Sequence, residues 1–288
     1  MLTIKAPAKI NWFLEVKGKR PDGFHEVETV MQSIGLFDEI TVENADELAL
    51  TCNIDLGDPR QNLVFRAAEI LRREYAAGHG ARISLNKQIP HGAGLGGGSS
   101  DAANALVALN RLWGLGLDND VLREIASRVG SDCPFFIEGG TAVCTGRGEI
   151  VSQMPDIAGI DLVVLYPNAV CPTAPVYREL SGDLTHDVTS CYLFHDLQDS
   201  PGAGDVAPLV MNRLQEPALR VSARMRDAWN RTAQERDVFV QFVSGSGSSV
   251  VFLLPNQRSG DRLAQSLRAR QLGQVFVVKT LPRGAVWG

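Results

Sequence analysis

The most informative stretch of this chain is residues 90–106, which read PHGAGLGGGSSDAANAL. Five of the seven residues from 92 to 98 are glycine, and two serines follow them directly. Glycine loses more backbone freedom on folding than any other residue, so an ordered loop of this composition requires an interaction that offsets the cost. A plain flexible turn explains the excess poorly, because one or two glycines suffice for a turn.

A helix is predicted directly after this glycine loop. The apolar residues at positions 102, 106, 109 and 113 recur at helical spacing. Ser99 or Ser100 stands where an N-cap residue belongs, and Asp101 would fall in the first turn. The positive end of the helix dipole would then point at the loop.

Two ligand-binding interpretations of the loop compete. Gly92, Gly94 and Gly97 satisfy the GxGxxG pattern of dinucleotide-binding folds. A proline and a histidine separate that pattern from the preceding predicted strand, however, and the acidic segment 118–120 resembles a helix cap more than a ribose-binding acid. A dinucleotide-binding oxidoreductase is therefore the weaker interpretation.

The stronger interpretation is a phosphate-binding loop. Successive glycines let backbone N–H groups converge on an anion, and a helix N-terminus adds favourable charge at the same point. The serine hydroxyls would donate to phosphate oxygens or lie near a cation. The loop is not a Walker A loop, which requires a lysine directly before its serine or threonine. Positive charge must therefore come from elsewhere in the chain or from a metal ion.

Composition limits the class of protein. The 288 residues are 44% hydrophobic with a net charge of -5, which is typical of a globular protein and disfavours nucleic acid as the main partner. No apolar run is long enough to span a bilayer, and the N-terminal residues lack the apolar core of a signal peptide. The five cysteines include no CxxC pair, so neither a disulfide framework nor a zinc site is expected. We expect a cytoplasmic protein without membrane contact.

The hydrophobic pattern predicts an α+β protein rather than a doubly wound one, because strands and helices do not alternate strictly. Helices are predicted over residues 62–75, 117–130, 218–234 and 259–271. Single strands are predicted over residues 9–16, 25–34, 39–44, 82–87, 161–168 and 274–281, and strand–turn–strand units over 135–151 and 238–254. The stretch 181–208 is rich in loop-forming residues. A change in the sequence pattern around residues 153–160 predicts a domain boundary.

The glycine loop resembles the phosphate loop of the GHMP kinases, in which a proline precedes a Gly-Leu-Gly segment and two serines. Three further stretches resemble one branch of that family: APAKINWFLEVKGKRPDGFHEVETVMQSI (6–34), VGSDCPFFIEGGTAVCTGRGE (129–149) and SGSGSSVVF (244–252). The resemblance runs from about residue 5 to the C-terminal strand and is weak over 181–240. It implies two domains, a ribosomal-protein-S5-domain-2-like ATP-binding domain over 1–157 and a ferredoxin-like α/β-plait domain over 158–288.

The resemblance implies an ATP-dependent small-molecule kinase. In the branch concerned, the acceptor is an alcohol attached to cytidine diphosphate, and the product is an isoprenoid precursor of the non-mevalonate route. The segments RPDGFHE and GSDCPFF disfavour other branches of the family, such as the homoserine and mevalonate kinases. A magnesium ion bound mainly through the phosphates is expected, because no paired carboxylates suggest a metal site within the protein.

The resemblance also assigns residues. Lys9 would be a cation beside the reacting groups, although an isolated strand lysine is usually a surface residue. Asp132 would be the catalytic base, although an aspartate in such a turn often only bonds its own backbone. ATP would contact Pro90, Gly92, Ala93, Gly94, Leu95, Gly96, Gly97, Gly98, Ser99 and Ser100, together with Asn62 and Lys87.

The acceptor site would read a cytosine ring by stacking and by polar contacts. Its implied residues are Asn11, Phe24, His25, Thr173, Tyr177, Gly245 and Gly247. Phe24 replaces a tyrosine that is usual in the family, which keeps stacking but removes a phenol. Ordinary core packing of Phe24 and Tyr177 stays open as an alternative, as does a hairpin role for the SGSG turn at 244–247.

Two other classes stay open at this point. An oxidoreductase would require a strand directly before Gly92. A non-catalytic RNA-binding module would share the N-terminal fold, but the acidic charge disfavours it. Whether the chain is a monomer or a homodimer is not encoded in any pattern we find.

Overall fold

We describe a computed structural model of the chain, in which residues 1–180, 189–197 and 201–284 are described. Within those residues no helix is long and apolar enough to cross a membrane. The strands are β1 (Leu2–Lys19), β2 (His25–Ala45), β3 (Leu48–Cys52), β4 (Gly80–Asn86), β5 (Thr141–Thr145), β6 (Ile150–Gln153), β7 (Asp161–Tyr166), β8 (Met211–Asn212), β9 (Val240–Val243), β10 (Val250–Leu253) and β11 (Gln274–Lys279).

The helices follow the same chain order. They are α1 (Leu63–Tyr75), α2 (Gly97–Leu112), α3 (Asn119–Val129), α4 (Thr173–Arg178), α5 (Thr189–His195), α6 (Ala203–Val206), α7 (Gln215–Val221), α8 (Ala223–Thr232) and α9 (Gln257–Ala269). Short 3-10 turns lie at Pro59–Gln61, Pro134–Ile137 and Ala207–Leu209.

The first sheet carries the glycine loop. Its main path is β3-β4-β2-β1-β8, and β5 pairs with both β2 and β6. The long antiparallel pair β1–β2 forms its centre. Helices α1, α2 and α3 cover one face of the sheet and bury residues such as Leu71, Leu106 and Ile125 in a shared core. The loop lies between β4 and α2, at one end of this core.

The second sheet is fully antiparallel in the order β11-β7-β10-β9. Numbering these strands one to four along the chain gives the order four-one-three-two, which is the ferredoxin-like arrangement. One face packs with α7, α8 and α9 around Phe252 and Leu267. The other face packs against the first sheet, where Trp12 meets Phe242 with ring centroids 5.8 Å apart.

The predicted α+β class is confirmed, and several local predictions are corrected. The two strands predicted over 25–34 and 39–44 form one continuous strand, β2, because β1 pairs with it from His25 to Val42. The predicted strand at the start of 135–151 is instead a 3-10 turn with four buried residues. The helix predicted over 218–234 is broken at Ser222, whose side chain caps α8.

The predicted N-cap of α2 is wrong. The helix begins at Gly97, and Gly96 is its N-cap residue in the left-handed conformation, so both serines lie inside the first turn and Asp101 lies beyond it. The prediction for 181–208 falls partly outside the described residues, at 181–188 and 198–200. Its described part contains α5, α6 and a 3-10 turn. The domain boundary after residue 157 stays a prediction; β8 returns from the later part of the chain to pair with β1.

Candidate active site

Alternate glycines set the path of the phosphate loop. Gly92, Gly94 and Gly96 have φ angles of 63°, 77° and 69°. This left-handed region is strained for residues with a Cβ and freely available to glycine. The loop therefore needs glycine at these three positions for conformational reasons, whatever it binds.

The carbonyl groups of the loop are held on one side by hydrogen bonds. The carbonyl of residue 92 accepts the Cys171 N–H at 3.2 Å, and that of residue 93 accepts the Ser249 N–H at 3.0 Å. The carbonyls of residues 95 and 96 accept the N–H groups of Lys9 and Ser100, each at 2.9 Å. The Ser244 hydroxyl donates to the carbonyl of residue 94 at 2.9 Å. In a trans peptide the N–H points opposite to the C=O. The N–H group of each residue from 93 to 97 therefore points away from the partner of the preceding carbonyl, which leaves these N–H groups suited to binding an anion.

The second glycine turn packs directly on the loop. A Cβ built on Gly94 would lie 2.2 Å from the Ser244 carbonyl oxygen and 2.9 Å from that of Gly247. A Cβ on Gly245 would lie 3.3 Å from both the Gly94 oxygen and the Lys9 Nζ. The turn between β9 and β10 thus braces the loop and borders the same space. This contact was not visible in the hairpin pattern of the sequence.

Lys9, Asn11 and Asp132 form a polar group beside the loop. The buried Lys9 Nζ donates to Asn11 Oδ1 at 2.7 Å and lies 3.6 Å from Asp132 Oδ2. Asn11 in turn donates to the Thr29 hydroxyl at 2.8 Å. The Asp132 side chain is 33% exposed, so it is accessible to a ligand while Lys9 is not free to move. β1 and the turn after α3 bring Lys9 and Asp132 together although they are 123 positions apart in sequence.

Aromatic residues lie on the far side of this polar group. The rings of His25 and Tyr177 are 4.8 Å apart and tilted by 31°. Burial lowers the pKa of His25, with the charge of Lys19 adding to the effect, so its neutral form is favoured. Burial, and then the charge of Asp132, raise the pKa of Tyr177. Both rings are thus held neutral, which suits them to stacking and hydrogen bonding.

Phe24 stands at the margin of the site. Its ring is 50% exposed, and the Arg147 guanidinium lies 5.0 Å from the ring centroid. Arg147 itself is held by Glu149, which accepts its Nε–H at 3.4 Å. Sequence reasoning missed Arg147, because a single arginine in a glycine turn gives no signal until the fold places it beside Phe24.

One cavity of about 760 Å³ unites most of the predicted residues. Its walls include Lys9, Asn11, Asn62, Lys87, Pro90, residues 92–99, Asp132, Thr173, Tyr177, Gly245 and Gly247. They also include residues that sequence reasoning did not single out, among them Asp55, Leu56, Asp101, Arg147, Gly148 and Ser246. Phosphate-side and acceptor-side residues therefore share one continuous space.

Some predicted residues have different surroundings from those expected. Ser100 is fully buried, and Asn104 Nδ2 donates to its hydroxyl at 3.3 Å. Asn62 caps α1 by accepting the Val64 N–H at 2.9 Å. Lys87 borders the cavity, but its ammonium is nearly buried and paired with two aspartates. His25 contacts the cavity only through Tyr177.

Among the described residues, no cluster of three or more histidine, cysteine or acidic side chains is arranged to hold a metal ion. Mg²⁺ prefers an arrangement with one or two protein carboxylates plus phosphate oxygens and water. The accessible Asp132 carboxylate and the Ser99 hydroxyl are suitable oxygen donors on the cavity wall.

The fold and the glycine loop define a kinase of the GHMP class. Residues 62–140 match the model of the GHMP kinases N terminal domain. The fold is also similar to that of a homoserine kinase from Cytophaga hutchinsonii ATCC 33406, with a TM-score of 0.70 at 14% identity over 98% of this chain and 95% of that one.

Closer relatives define the branch. The chain is 36% identical to 4-diphosphocytidyl-2-C-methyl-D-erythritol kinase of Listeria monocytogenes serotype 4b (strain CLIP80459), over 98% of this chain and 97% of the relative. It is 37% identical to the enzyme of that name from Pelotomaculum thermopropionicum, over 97% and 98%. A solved structure of 4-(cytidine 5'-diphospho)-2C-methyl-D-erythritol kinase has a TM-score of 0.80 at 32% identity, over 97% of this chain and 99% of that one. This chain belongs to the 4-diphosphocytidyl-2-C-methyl-D-erythritol kinase family.

Proposed function

We propose that this chain transfers the γ-phosphoryl group of ATP to the 2-hydroxyl of 4-diphosphocytidyl-2-C-methyl-D-erythritol, in the non-mevalonate route to isoprenoid precursors. The observation that carries the proposal is the row of outward-facing N–H groups at residues 93–97, which shares a cavity with Lys9 and Asp132. Anion donors and an accessible carboxylate in one cavity are what phosphoryl transfer to an alcohol requires.

The ATP phosphates would bind the loop. The N–H groups of residues 93–97 and the N-terminus of the sixteen-residue helix α2 provide partial positive charge without a loop lysine. Lys9 provides the full positive charge that the loop lacks, since its Nζ approaches Gly245 across the cavity. The charge missing from the loop sequence is thus provided by β1.

Asp132 would accept the proton of the acceptor hydroxyl. As the hydroxyl oxygen forms its bond to the γ-phosphorus, the bond from that phosphorus to the β,γ-bridging oxygen of ATP breaks and ADP leaves. The proton passes to Asp132. Lys9, 3.6 Å from that carboxylate, would orient both groups. Because the 2-hydroxyl is tertiary and crowded, positioning carries much of the catalysis.

Magnesium fits this site as an ion carried by the nucleotide. When bound, Mg²⁺ neutralises charge on the β- and γ-phosphates. The Ser99 hydroxyl on the cavity wall would support it. A dedicated protein metal site is not part of the proposal.

The acceptor would lie toward Tyr177 and Phe24. The neutral ring pair of His25 and Tyr177 suits stacking and hydrogen bonding to a pyrimidine. Arg147 brings a cation to the same side, which suits the diphosphate of the acceptor. A cytosolic location stays a prediction.

The assignment is tested by coupled measurement of ADP release. We expect magnesium-dependent ADP release with 4-diphosphocytidyl-2-C-methyl-D-erythritol and only background release with homoserine or mevalonate. Those two small acceptors have no base that could stack on the aromatic side chains. Folded protein that binds ATP but releases no ADP with the cytidine substrate would refute the acceptor while leaving the phosphate loop intact.

Phe24→Ala tests the acceptor side separately. Loss of a stacking ring costs about 1–3 kcal/mol per base, so we expect the KM for the cytidine substrate to rise by about tenfold. The KM for ATP should stay unchanged. Phe239→Ala is a matched control, because Phe239 is also 50% exposed, whereas Phe24 lies against Arg147 on the cavity wall. An equal effect of both substitutions would exclude a stacking role for Phe24.

A further inference from the structure

A buried charge cluster lies beneath the phosphate loop. It consists of Asp38 on β2, Lys87 directly after β4, and Asp101 on α2. In the β2–β4 pair Glu39 is opposite Asn86, so Asp38 and Lys87 are adjacent across the strands. The three side chains are 0%, 4% and 2% exposed, respectively.

The cluster contacts the segment that enters the loop. The Lys87 ammonium donates to Asp38 Oδ2. Asp38 Oδ1 accepts the backbone N–H groups of Gln88 and Ile89, the latter at 2.8 Å. One carboxylate therefore fixes both the lysine and the two residues that precede Pro90.

The same lysine contacts the helix that leaves the loop. Lys87 Nζ donates to Asp101 Oδ2 at 2.6 Å. Asp101 lies one helical turn after Gly97, on the same face of α2. A Cβ built on Gly97 would lie only 3.1 Å from Lys87 Nζ, so the ammonium sits directly under the first turn of the helix.

We propose that Lys87, clamped between Asp38 and Asp101, is a positioning residue that fixes the two ends of the phosphate loop relative to each other and so sets the directions of its N–H donors. Its buried ammonium already donates hydrogen bonds to both aspartates, so the role proposed for it requires no contact with ATP. This inference rests on the proposed ATP site. It assigns Lys87 an indirect role, whereas the sequence resemblance implied a direct contact with the nucleotide.

The protonation of the cluster supports this role. Burial raises the pKa of Asp101 to about 8, with the negative charge of Asp38 adding to the effect and Lys87 opposing it. Burial lowers the pKa of Lys87, but the charges of Asp101 and Asp38 outweigh it and keep that pKa above its ordinary value. Asp101 Oδ1 is buried with no hydrogen-bond partner in the described part of the chain. Near neutral pH, burial therefore favours the protonated form of Asp101.

The main test replaces Lys87 and Asp38 together. Removing the lysine alone would leave a buried carboxylate without a cation, which is strongly destabilising. The double variant Lys87→Met/Asp38→Asn stays neutral, and its asparagine oxygen still accepts the loop N–H groups. We expect its Kd for ATP, measured without acceptor, to rise by about tenfold or more, since a misplaced loop loses several donors at once. The KM for the cytidine substrate should stay within about twofold.

The control is the double variant Arg82→Met/Glu43→Gln. It removes an ion pair that joins the same two strands at 2.7 Å but is largely exposed. We expect unchanged ATP binding, because exposed pairs contribute little. A folded cluster variant that binds ATP like the wild type would overturn the proposal. Wild-type protein that binds no ATP would instead refute the proposed function.

A pH series tests the cluster without disturbing its packing. The charged groups that face Asp101 are Lys87 and Asp38. Asp101 is protonated at pH 7 and ionised at pH 9, where the added negative charge opposes the ATP phosphates. We expect wild-type affinity for ATP to fall by up to about tenfold between these pH values, and Asp101→Asn to abolish most of that fall. A fall of equal size in both proteins would contradict the proposal, even if the double variant failed to fold.

The same series includes a check on folding. The folded protein holds the Asp101 proton more tightly than the unfolded chain does, so its contribution to stability is lost as pH rises toward 8. Asparagine does not titrate. Asp101→Asn should therefore unfold at a temperature no lower than the wild type at pH 9, which separates an effect on ATP binding from a general loss of structure.

Discussion

Asp132→Asn is expected to lower kcat by about two to four orders of magnitude, the usual contribution of a positioned general base. The amide keeps the shape of the side chain but no longer accepts the hydroxyl proton. Affinity for ATP should change little, because the phosphate donors at 93–97 do not depend on this carboxylate. The measurement is steady-state kcat alongside equilibrium ATP binding.

Asp156→Asn is the matched control for this substitution. The side chains of Asp156 and Asp132 are 27% and 33% exposed, and each lies within 4 Å of a cation, at 3.8 Å and 3.6 Å respectively. Asp156 does not border the cavity. We expect wild-type turnover from that control. Near wild-type turnover of Asp132→Asn would exclude Asp132 as the base.

Gly94→Ala is expected to reduce kcat/KM by about a hundredfold or more, since a displacement of about 1 Å at a reacting group has effects of that size. The new methyl group would overlap the Ser244 carbonyl at 2.2 Å and that of Gly247 at 2.9 Å, and φ at this position is +77°. Both collisions are with backbone, so no side-chain rotation relieves them. The loop and the turn that braces it must separate, which also lowers the melting temperature.

Gly98→Ala distinguishes this steric effect from a general need for glycine. Gly98 is helical, and a Cβ there would meet only Leu63 Cδ1 at 3.8 Å. Replacing glycine where alanine fits stabilises proteins by about 0.4–1 kcal/mol, so activity should persist and the melting temperature should not fall. Similar losses in both variants would mean that flexibility of the loop, rather than its contact with residues 244–247, is what matters.

Predictions from local patterns identified helices better than they identified where helices begin and end. The helix at 62–75 was found because its apolar residues repeat at the helical period, which depends on the chain alone. The N-cap of α2 was misassigned because serine is a common cap, whereas this helix begins at a left-handed glycine. The break at Ser222 was missed for a related reason, since both halves of that segment have good helical patterns.

Side-chain partners were harder to predict than elements. Lys87 was assigned to the nucleotide from resemblance, but its surroundings depend on Asp38 and Asp101, which are 49 and 14 residues away. The sequence did not indicate a role for Arg147, because its partner Phe24 lies in a distant loop, between β1 and β2. The burial and the charged neighbours of these two side chains depend on contacts between separate segments of the chain, which form only in the folded structure.

The position of the phosphate loop follows from the sequence, as does its capacity for left-handed conformations, which glycine permits at 92, 94 and 96. The direction in which the loop faces depends on the folded structure. Three of its carbonyls are held by Cys171, Ser244 and Ser249, all more than 70 residues later in the chain. A peptide whose carbonyl is fixed on one side must present its N–H on the other, so distant residues make a glycine-rich turn into an anion site.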